Sequence, residues 1–333
     1  MKRSSLDAAR HIAGFALAAC CLAAPLNGSA QTAAYPNRPI KFIVPLPPGG
    51  GNDLLARVIA ERMGPSVGQA VVVENKPGAG GNIGTEFTAR QPADGYTLLI
   101  TSPTHIINPN FFAKLPYDPI RDFAAVSLIA TIPFVLTVNS SVPAQNVKEL
   151  IALARAQPGK VTYATAGIGT PHHLSAEMLR SATGIDIVHV PYKGAGALVP
   201  ALVAGEVTMT IGAINSLLPH IRTGRLRALA VADPKRTPVL PEVPTIADAA
   251  GLPGFAMVTW FGVLAPAGTP AEIIRRLNTE INRIIQDPQV TKEKLAPVGL
   301  EAVGTTPEAF AEVLKTELVK YAKVAKDAGI KPE

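Results

Sequence analysis

The stretch IKFIVPLPPGGGND, from Ile40 to Asp53, holds the features that decide the fold. Ile40 to Val44 is a short apolar run rich in β-branched residues, which predicts a buried strand. Prolines end that run, and the glycines Gly49 to Gly51 let the backbone turn sharply. Asn52 and Asp53 are residue types that favour helix N-caps, and an amphipathic helix follows. This strand, loop and helix start predict an anion site, because the first N–H groups of a helix lack intrahelical partners.

The N-terminal segment has the pattern of a signal peptide over residues 1–30. Its first residues are basic, the stretch from Ile12 to Leu26 is apolar, and Gly28-Ser29-Ala30 is a small-x-small cleavage site. We therefore expect a periplasmic mature protein that begins at Gln31. An alternative is a lipoprotein acylated on Cys20, because Leu17 to Cys20 also matches a lipoprotein box.

Composition narrows the function classes. The chain has 333 residues, 17% of them charged, which fits two α/β domains or one large one. Both cysteines, Cys20 and Cys21, lie in the signal segment. The mature chain is therefore expected to have no disulfide, no thiol nucleophile and no cysteine-ligated metal. Lys and Arg are spread along the chain rather than clustered, which argues against a nucleic-acid surface.

Strand and helix patterns alternate along the mature chain, which predicts parallel sheets in an α/β architecture. Breaks near Ile132 and Asp233 divide the pattern. We expect one discontinuous domain, residues 35–133 plus 234–333, and a second domain, residues 134–233. A ligand would then lie in the cleft where the loops of the two domains face each other.

Several helix starts can be read from capping patterns. Asn146 with Glu149 predicts a capping box, and Thr269 to Glu272 predicts another with proline at the first helical position. Thr170 is the expected N-cap of the helix that follows Gly167 to Thr170. The lone Trp260 lies in an apolar run and is expected to pack in the core.

Five loops between strands and helices are candidates for the cleft. None completes a nucleotide-binding glycine motif, and no metalloprotease or serine-hydrolase motif occurs. The adjacent pair His172-His173 cannot chelate one metal, because neighbouring helical residues point about 100° apart. No catalytic residue, metal or cofactor is therefore expected. The loops are Pro47–Asp53, Gly78–Asn82, Ser102–His105, Gly167–His172 and Lys193–Gly196.

Many motifs in order carry a family resemblance. They include YPNRPIKFIVPLPPGGGNDLLAR, NKPGAGGNIG, VTYATAGIGTPHHL, VPYKGAGA and LAPAGTP. The chain resembles Bug-type extracytoplasmic solute receptors, the substrate-binding components of tripartite tricarboxylate transporters. The resemblance implies a type II periplasmic-binding-protein fold, α/β in class, with two α/β domains, a ligand cleft and two crossing strands. It also implies that loops of both domains hold a carboxylate, largely through backbone N–H groups and ordered water.

The resemblance transfers binding roles by position. The implied ligand-binding residues are Leu46, Pro48, Gly49, Gly50, Asn52, Asp53, Gly81, Asn82, Ser102, Thr104, His105, Ala166, Gly167, Thr170, Pro171, His172, Tyr192, Lys193, Gly194, Gly212 and Ala213.

Two positions depart from the family pattern. Leu46 stands where the family often has an aromatic residue, and Ile211-Gly212-Ala213 stands where it often has Phe-Asp-Asn. Without that Asp, an amino-acid ligand is less favoured. An aromatic carboxylate and a di- or tricarboxylate both stay open.

The expected partners are a small organic carboxylate and the membrane permease subunits of a tripartite tricarboxylate transporter. We expect a monomer. Two alternatives remain from the sequence: an exported enzyme acting on a carboxylate, and a ligand sensor for a two-component system.

The signal peptide gives the first testable prediction. The exported protein should have the intact mass of a chain that begins near Gln31. A mass that corresponds to a chain starting at diacylated Cys20 would instead establish a lipoprotein.

Overall fold

Two β-sheets organise the chain in the computed structural model, which describes residues 35–332. The first sheet has six strands in the order β11-β4-β10-β3-β1-β2, and the second has five in the order β7-β6-β8-β5-β9. In chain order the strands are β1 (Ile40–Val44), β2 (Val71–Asn75), β3 (Thr97–Thr101), β4 (Phe123–Ile132), β5 (Phe134–Asn139), β6 (Val161–Thr165), β7 (Ile187–Pro191), β8 (Met209–Ala213), β9 (Leu226–Val231), β10 (Thr259–Pro266) and β11 (Glu301–Ala302).

Helices follow most of the strands. They are α1 (Gly51–Val67), α2 (Asn82–Ala89), α3 (Thr104–Ile107), α4 (Val147–Ala156), α5 (Pro171–Thr183), α6 (Ala195–Ala204), α7 (Ile214–Arg222), α8 (Ile246–Ala250), α9 (Ala271–Ile285), α10 (Pro288–Val290) and α11 (Pro307–Asp327). None of the helices within residues 35–332 is long and apolar enough to cross a membrane. The predicted signal peptide, with its cleavage site and Cys20, lies outside the described residues.

Both sheets are mixed, so the prediction of parallel sheets was wrong in part. β1 pairs in parallel with β2 and β3, and β6 pairs in parallel with β7 and β8. β10 runs antiparallel to β3 and β4, while β5 runs antiparallel to β8 and β9. β5 and β10 enter their sheets from the opposite half of the chain. No helical crossover therefore forces them to run parallel to their neighbours.

The chain passes between the sheets at two places. β4 of the first sheet continues into β5 of the second with only Pro133 between them. The return runs through residues 232–258, where Ala232 N–H donates to Phe134 O at 2.7 Å and Met257 N–H donates to Ala232 O at 2.9 Å. The predicted domain limits, 35–133 plus 234–333 and 134–233, stay a prediction that agrees with these passages.

Helix starts depend on more than the nearest capping residue. The N-cap at Asn146 is confirmed, since its Oδ1 accepts from Glu149 N–H at 3.0 Å, while the Glu149 carboxylate reaches back to Gln145 N–H at 2.7 Å. Asn52 and Asp53 lie inside α1, whose N-cap is Gly50. The N-cap of α9 is Pro270, because Thr269 Oγ1 donates to Pro266 O instead of accepting from the helix.

The core of the first sheet confirms the placement of Trp260. Its side chain is 1% exposed, and its ring packs edge-on against Phe310 with centroids 5.2 Å apart. Its Nε1–H donates to a carboxylate oxygen of Glu317 on α11 at 2.5 Å. The long C-terminal helix is thus fixed to the central strand β10 by one aromatic contact and one charge-assisted hydrogen bond.

Gly262 tests this packing, because a Cβ at that position of β10 would overlap the Phe310 ring. We expect Gly262→Ala to lower the free energy of unfolding by about 1–3 kcal/mol, the usual cost of overpacking a core. Gly196→Ala is the matched control, since Gly196 is exposed and has no atom within 4 Å of a built Cβ. Urea denaturation measures both. Equal stability of Gly262→Ala and wild type would contradict the packing.

Candidate ligand-binding site

A cavity lies between the two sheets, at the ends of β1, β3, β6, β7 and β8 where their chains leave for the next helix. Its volume open to water is about 70 Å³, several times the roughly 10–15 Å³ that one water needs. It is lined by Leu46, Pro47, Gly50, Gly51, Asn52, Ser102, Thr104, Phe134, Ala166, Thr170, Pro171, His172, Gly194, Ala195, Ala213, Asn215, Ser216, Thr259 and Phe261.

Helices α1, α5, α6 and α7 all begin at this cavity. Their N-cap residues are Gly50, Thr170, Gly194 and Ala213, and all four line it. None of these N-caps makes a side-chain hydrogen bond to its helix. Three first-turn N–H groups already donate to backbone carbonyls, namely His173 to Thr170 O, Ala197 to Gly194 O and Ile214 to Pro133 O. The others have no side-chain cap, and the helix dipoles add positive potential at the cavity.

Helices that begin elsewhere often have their first turn capped by a side chain. Asn146 caps α4, Thr245 caps α8 and Thr306 caps α11, each by accepting from an N–H of the first turn. α9 is an exception, because it begins at Pro270 without a side-chain cap and does not reach the cavity. The open starts at the cavity match the anion site that the glycine loop predicts.

Thr170 occupies the predicted N-cap position of α5, but its hydroxyl has another partner. Thr170 Oγ1 donates to Gly167 O at 2.7 Å, so it closes the preceding loop instead of capping the helix. The predicted side-chain cap at Thr170 was wrong. The loop carbonyl competes for the hydroxyl. Pro171 has no N–H and His173 N–H donates to Thr170 O at 3.0 Å, so His172 N–H is the first-turn donor of α5 left for a ligand.

Gly50 leaves space in the cavity wall. Its φ is −85°, which any residue can adopt, and a Cβ built there has no atom within 4 Å. Gly51 differs, because a Cβ at that position would overlap the Phe261 ring. Backbone conformation therefore does not explain the glycine at position 50, whereas an approaching ligand would.

No charged side chain lines the cavity among the described residues. Apolar walls come from Leu46, Phe134 and Phe261, together with prolines and alanines. The polar side chains are Asn52, Ser102, Thr104, Thr170, His172, Asn215, Ser216 and Thr259. An anion in this cavity would thus be held by neutral donors and helix dipoles rather than by Lys or Arg.

His172 is a neutral donor or acceptor in this wall. Burial lowers its pKa to about 4. Its ring packs edge-on against Phe134 with centroids 4.8 Å apart. The neighbouring His173 faces away and stacks on His189 at 4.0 Å. The two adjacent histidines therefore have different neighbours: His172 lies in the cavity wall and His173 packs on His189.

Asp53 lies outside the cavity lining and has a structural role. Its carboxylate accepts from Arg57 Nη2 at 2.9 Å, Asn75 Nδ2 at 3.0 Å and Gly49 N–H at 3.2 Å. Burial alone would raise its pKa, but the hydrogen bonds from Arg57, Gly49 and Asn75 lower it below the usual value. Asp53 thus stabilises the glycine loop through the hydrogen bond that it accepts from Gly49 N–H.

Other residues predicted for the site also lie outside the cavity lining. His105 Nε2 is 2.7 Å from Pro119 O, and burial lowers the pKa of this histidine to about 4. Asn82 Oδ1 accepts from Asn108 Nδ2 and from Tyr117 OH, each at 2.6 Å.

Two glycines and a proline predicted for the site, Gly212, Gly49 and Pro48, also lie outside this lining. A Cβ at Gly212 would lie 3.2 Å from the ring of His172, so this glycine makes room for the histidine. Pro48 and Gly49 are exposed in the first loop. Neither lines the cavity.

A second cavity adjoins the first and shares four wall residues with it: Leu46, Pro47, Ala166 and Gly194. Here lie the predicted residues Gly81, Gly167, Tyr192 and Lys193. Lys193 is the one lysine or arginine among the described residues that line either cavity. We call this second cavity the vestibule, because it shares a wall with the first.

Sequence reasoning missed Phe134, Asn215, Ser216, Thr259 and Phe261. Thr259 and Phe261 are two apart on one strand, so they share a face, while Trp260 between them points to the core. The sequence feature that could have identified Thr259 is a polar residue within an otherwise apolar run. Pro47, Gly51 and Ala195 were also missed, although each lies within one of the five loops.

Among residues 35–332, no group of three or more His, Cys, Asp and Glu side chains is placed to hold a metal ion.

Comparisons with known proteins agree with this geometry. Residues 55–330 match the model of the tripartite tricarboxylate transporter family receptor. Protein BugT of Bordetella pertussis is 40% identical over 322 residues, covering 96% of this chain and 97% of BugT.

Two solved structures are similar throughout. An R. palustris protein solved with adipate is 38% identical with a TM-score of 0.86, covering 90% of this chain and 100% of that one. The periplasmic binding protein BugD is 33% identical with a TM-score of 0.84, with the same coverage of 90% and 100%. The predicted periplasmic-binding-protein fold is confirmed.

Buried histidines make stability depend on pH. Burial lowers the pKa of His105 and His172 to about 4, and that of His173 to about 3. In the unfolded chain these values return to about 6.5. Between the folded and the unfolded pKa values, the unfolded chain binds more protons than the folded chain. The free energy of unfolding therefore falls as the pH is lowered. From pH 7 to pH 5 we expect a loss of about 1–2 kcal/mol for each histidine.

Asp233 opposes this trend, because burial raises its pKa to about 7 and it gains protons in the folded state. The variant Asp233→Asn removes the opposing contribution and should show the steeper loss. Urea denaturation at pH 7, 6 and 5 measures the effect. Constant or rising stability of Asp233→Asn toward pH 5 would contradict the buried neutral histidines.

Proposed function

The chain belongs to the tripartite tricarboxylate transporter receptor family, and from this premise we propose that it captures a small organic carboxylate in the cavity between its sheets. It then delivers the ligand to the membrane permease subunits of a tripartite tricarboxylate transporter. The observation that carries the proposal is the convergence of uncapped helix starts on a cavity without charged side chains.

This arrangement suits a carboxylate for physical reasons. Each hydrogen bond from an N–H to a carboxylate oxygen contributes about 1.5–3 kcal/mol, and several are available. The donors are fixed by helices and loops, so little entropy is lost when they bind. The apolar walls at Leu46, Phe134 and Phe261 would contact the carbon skeleton of the ligand. The adipate-bound neighbour supports a carboxylate as the ligand class.

Contacts across the cleft support binding by closure. A Cβ at Gly194 would lie 3.1 Å from Pro47 of the opposite half, and a Cβ at Gly80 would lie 2.7 Å from Ile168 O. The loops of the two halves thus meet over the vestibule at positions where only glycine fits. Ligand entry requires these contacts to separate, and closed-state contacts must stabilise the bound form.

We place the mature protein in the periplasm as a monomer, after removal of residues 1–30. The domains 35–133 plus 234–333 and 134–233 would move as the two closing bodies. The family and its solved neighbours are receptors, which supports a binding role rather than catalysis.

A binding panel tests the class of function. Purified mature protein is titrated calorimetrically with adipate, succinate, benzoate and citrate, and small molecules released from freshly purified protein are identified by mass spectrometry. We expect a carboxylate to bind with micromolar or lower Kd and to be recovered unchanged. Chemical conversion of the bound carboxylate would establish an enzyme, and failure of all carboxylates to bind would contradict the proposal.

Gly50→Val tests the placement of the carboxylate. The valine side chain would fill the open space beside the N-terminus of α1, so affinity for the best ligand of the panel should fall more than tenfold, about 1.4 kcal/mol. Gly196→Val is the control, since Gly196 also lies at the start of a helix but is exposed and lines neither cavity. Calorimetry measures the affinity of both variants, and circular dichroism shows whether each is folded. Wild-type affinity in folded Gly50→Val would place the site elsewhere.

A further inference from the structure

We propose that Asn215, Thr259 and His172 form a second polar subsite at the base of the cavity, which binds a hydroxyl group on the carboxylate ligand. This floor subsite rests on the proposed function and adds a ligand class to it. The ligand would then be a hydroxylated carboxylate, with its carboxylate at the helix starts and its hydroxyl at the floor subsite.

The first observation is a set of buried polar atoms without partners. Asn215 Oδ1, Thr259 Oγ1 and His172 Nδ1 are buried and make no hydrogen bond within the described part of the chain. All three residues line the cavity, and Thr259 is 2% exposed and His172 9% exposed. Buried polar atoms in native proteins are nearly always paired, so an unpaired group calls for a partner from outside the chain.

The second observation is that these residues surround one short segment, Ile132 to Phe134, where the chain passes between the sheets. Thr259 is the register partner of Ile132, and Ile214 N–H, next to Asn215, donates to Pro133 O at 3.0 Å. The His172 ring packs on Phe134 at 4.8 Å. The three residues therefore come from both halves and lie beside the same passage at the base of the cleft.

The chemistry of the three groups favours a hydroxyl. Asn215 Oδ1 is an acceptor and needs a donor, which a carboxylate cannot supply. Thr259 Oγ1 can donate as well as accept, and His172 is neutral because burial lowers its pKa to about 4. A hydroxyl both donates and accepts, so it can bond Asn215 and Thr259 together. Within the described part of the chain, no Lys or Arg lines this cavity to balance a second negative charge, and no Asp or Glu lines it to hold an ammonium group.

Two ligand series isolate the hydroxyl. The first is butyrate, 4-hydroxybutyrate and glutarate, and the second is benzoate, 4-hydroxybenzoate and terephthalate. Within each series only one end group changes, from hydrogen to hydroxyl to carboxylate. Titration calorimetry of wild-type protein should show, in at least one series, the hydroxylated member binding at least tenfold more tightly than the other two.

Variants then connect this preference to the floor subsite. Thr259→Val and Asn215→Leu should each reduce the preference for hydroxyl over hydrogen, taken as the ratio of the two Kd values, at least fivefold. Thr137→Val is the control, because Thr137 is a fully buried strand residue that lies outside both cavities. It should keep the wild-type preference.

The thermal stability of the unliganded protein gives a readout independent of binding. Thr259→Val removes a buried hydroxyl that has no partner, so its Tm should equal or exceed that of wild type. Thr137→Val removes a hydroxyl that donates to Val135 O at 3.3 Å, so its Tm should fall. A clear fall in the Tm of Thr259→Val would show that its hydroxyl is already satisfied and would overturn the subsite.

The outcomes separate the two proposals. Equal affinities for the hydroxyl and unsubstituted members of both series, or a preference that survives Thr259→Val and Asn215→Leu, overturns the floor subsite and leaves the carboxylate receptor standing. Failure of every carboxylate to bind overturns both.

Discussion

Unsatisfied N–H groups at helix starts are the constraint on which the site depends. α1, α5, α6 and α7 each begin at the central cavity without a side-chain cap. Such N–H groups need an acceptor, and with the helix dipoles they favour a negative charge. Among residues 35–332, no lysine or arginine lines the cavity to supply the charge instead. Recognition in this fold is therefore a property of the backbone, arranged by glycine and proline loops.

The passage between the sheets gives this arrangement its geometry. Pro133 is the only residue between β4 and β5, so the two sheets are joined directly through Ile132 and Phe134. Residues beside this passage, such as Thr259 and Asn215, belong to different halves yet line the same cavity. The carboxyl ends of the parallel strands then present their loops to one another. The base of the cleft is thus built from strands, while its rim is built from loops that can separate.

Local sequence predicted the parts of the molecule that depend on local physics. The β1 strand, the glycine loop after it and the N-cap at Asn146 could all be read from neighbouring residues. The family motifs extended this to the cleft, and residues such as Gly50 and Thr170 do line the cavity.

Local sequence failed where a long-range partner decides the role of a residue. Asp53 looks like a cap or a ligand contact, but Arg57 and Asn75 take its carboxylate. His105 follows a strand in the same way as Ser102, yet its ring is held by Pro119 O. Thr259 looked like part of an apolar core strand until β4 and β10 were paired. The antiparallel direction of β5 and β10 likewise follows from the route of the chain between sheets.

The pKa of a bound carboxylate tests the central claim most directly. Transfer of a carboxylate into an apolar cavity raises its pKa, whereas N–H donors and helix dipoles lower it. The tightest ligand of the panel, labelled with ¹³C at its carboxyl carbon, would be titrated by NMR in the free and bound states. We predict that the pKa of the bound carboxylate lies below that of the free ligand. A bound pKa at or above the free value would contradict a site built from uncapped helix starts.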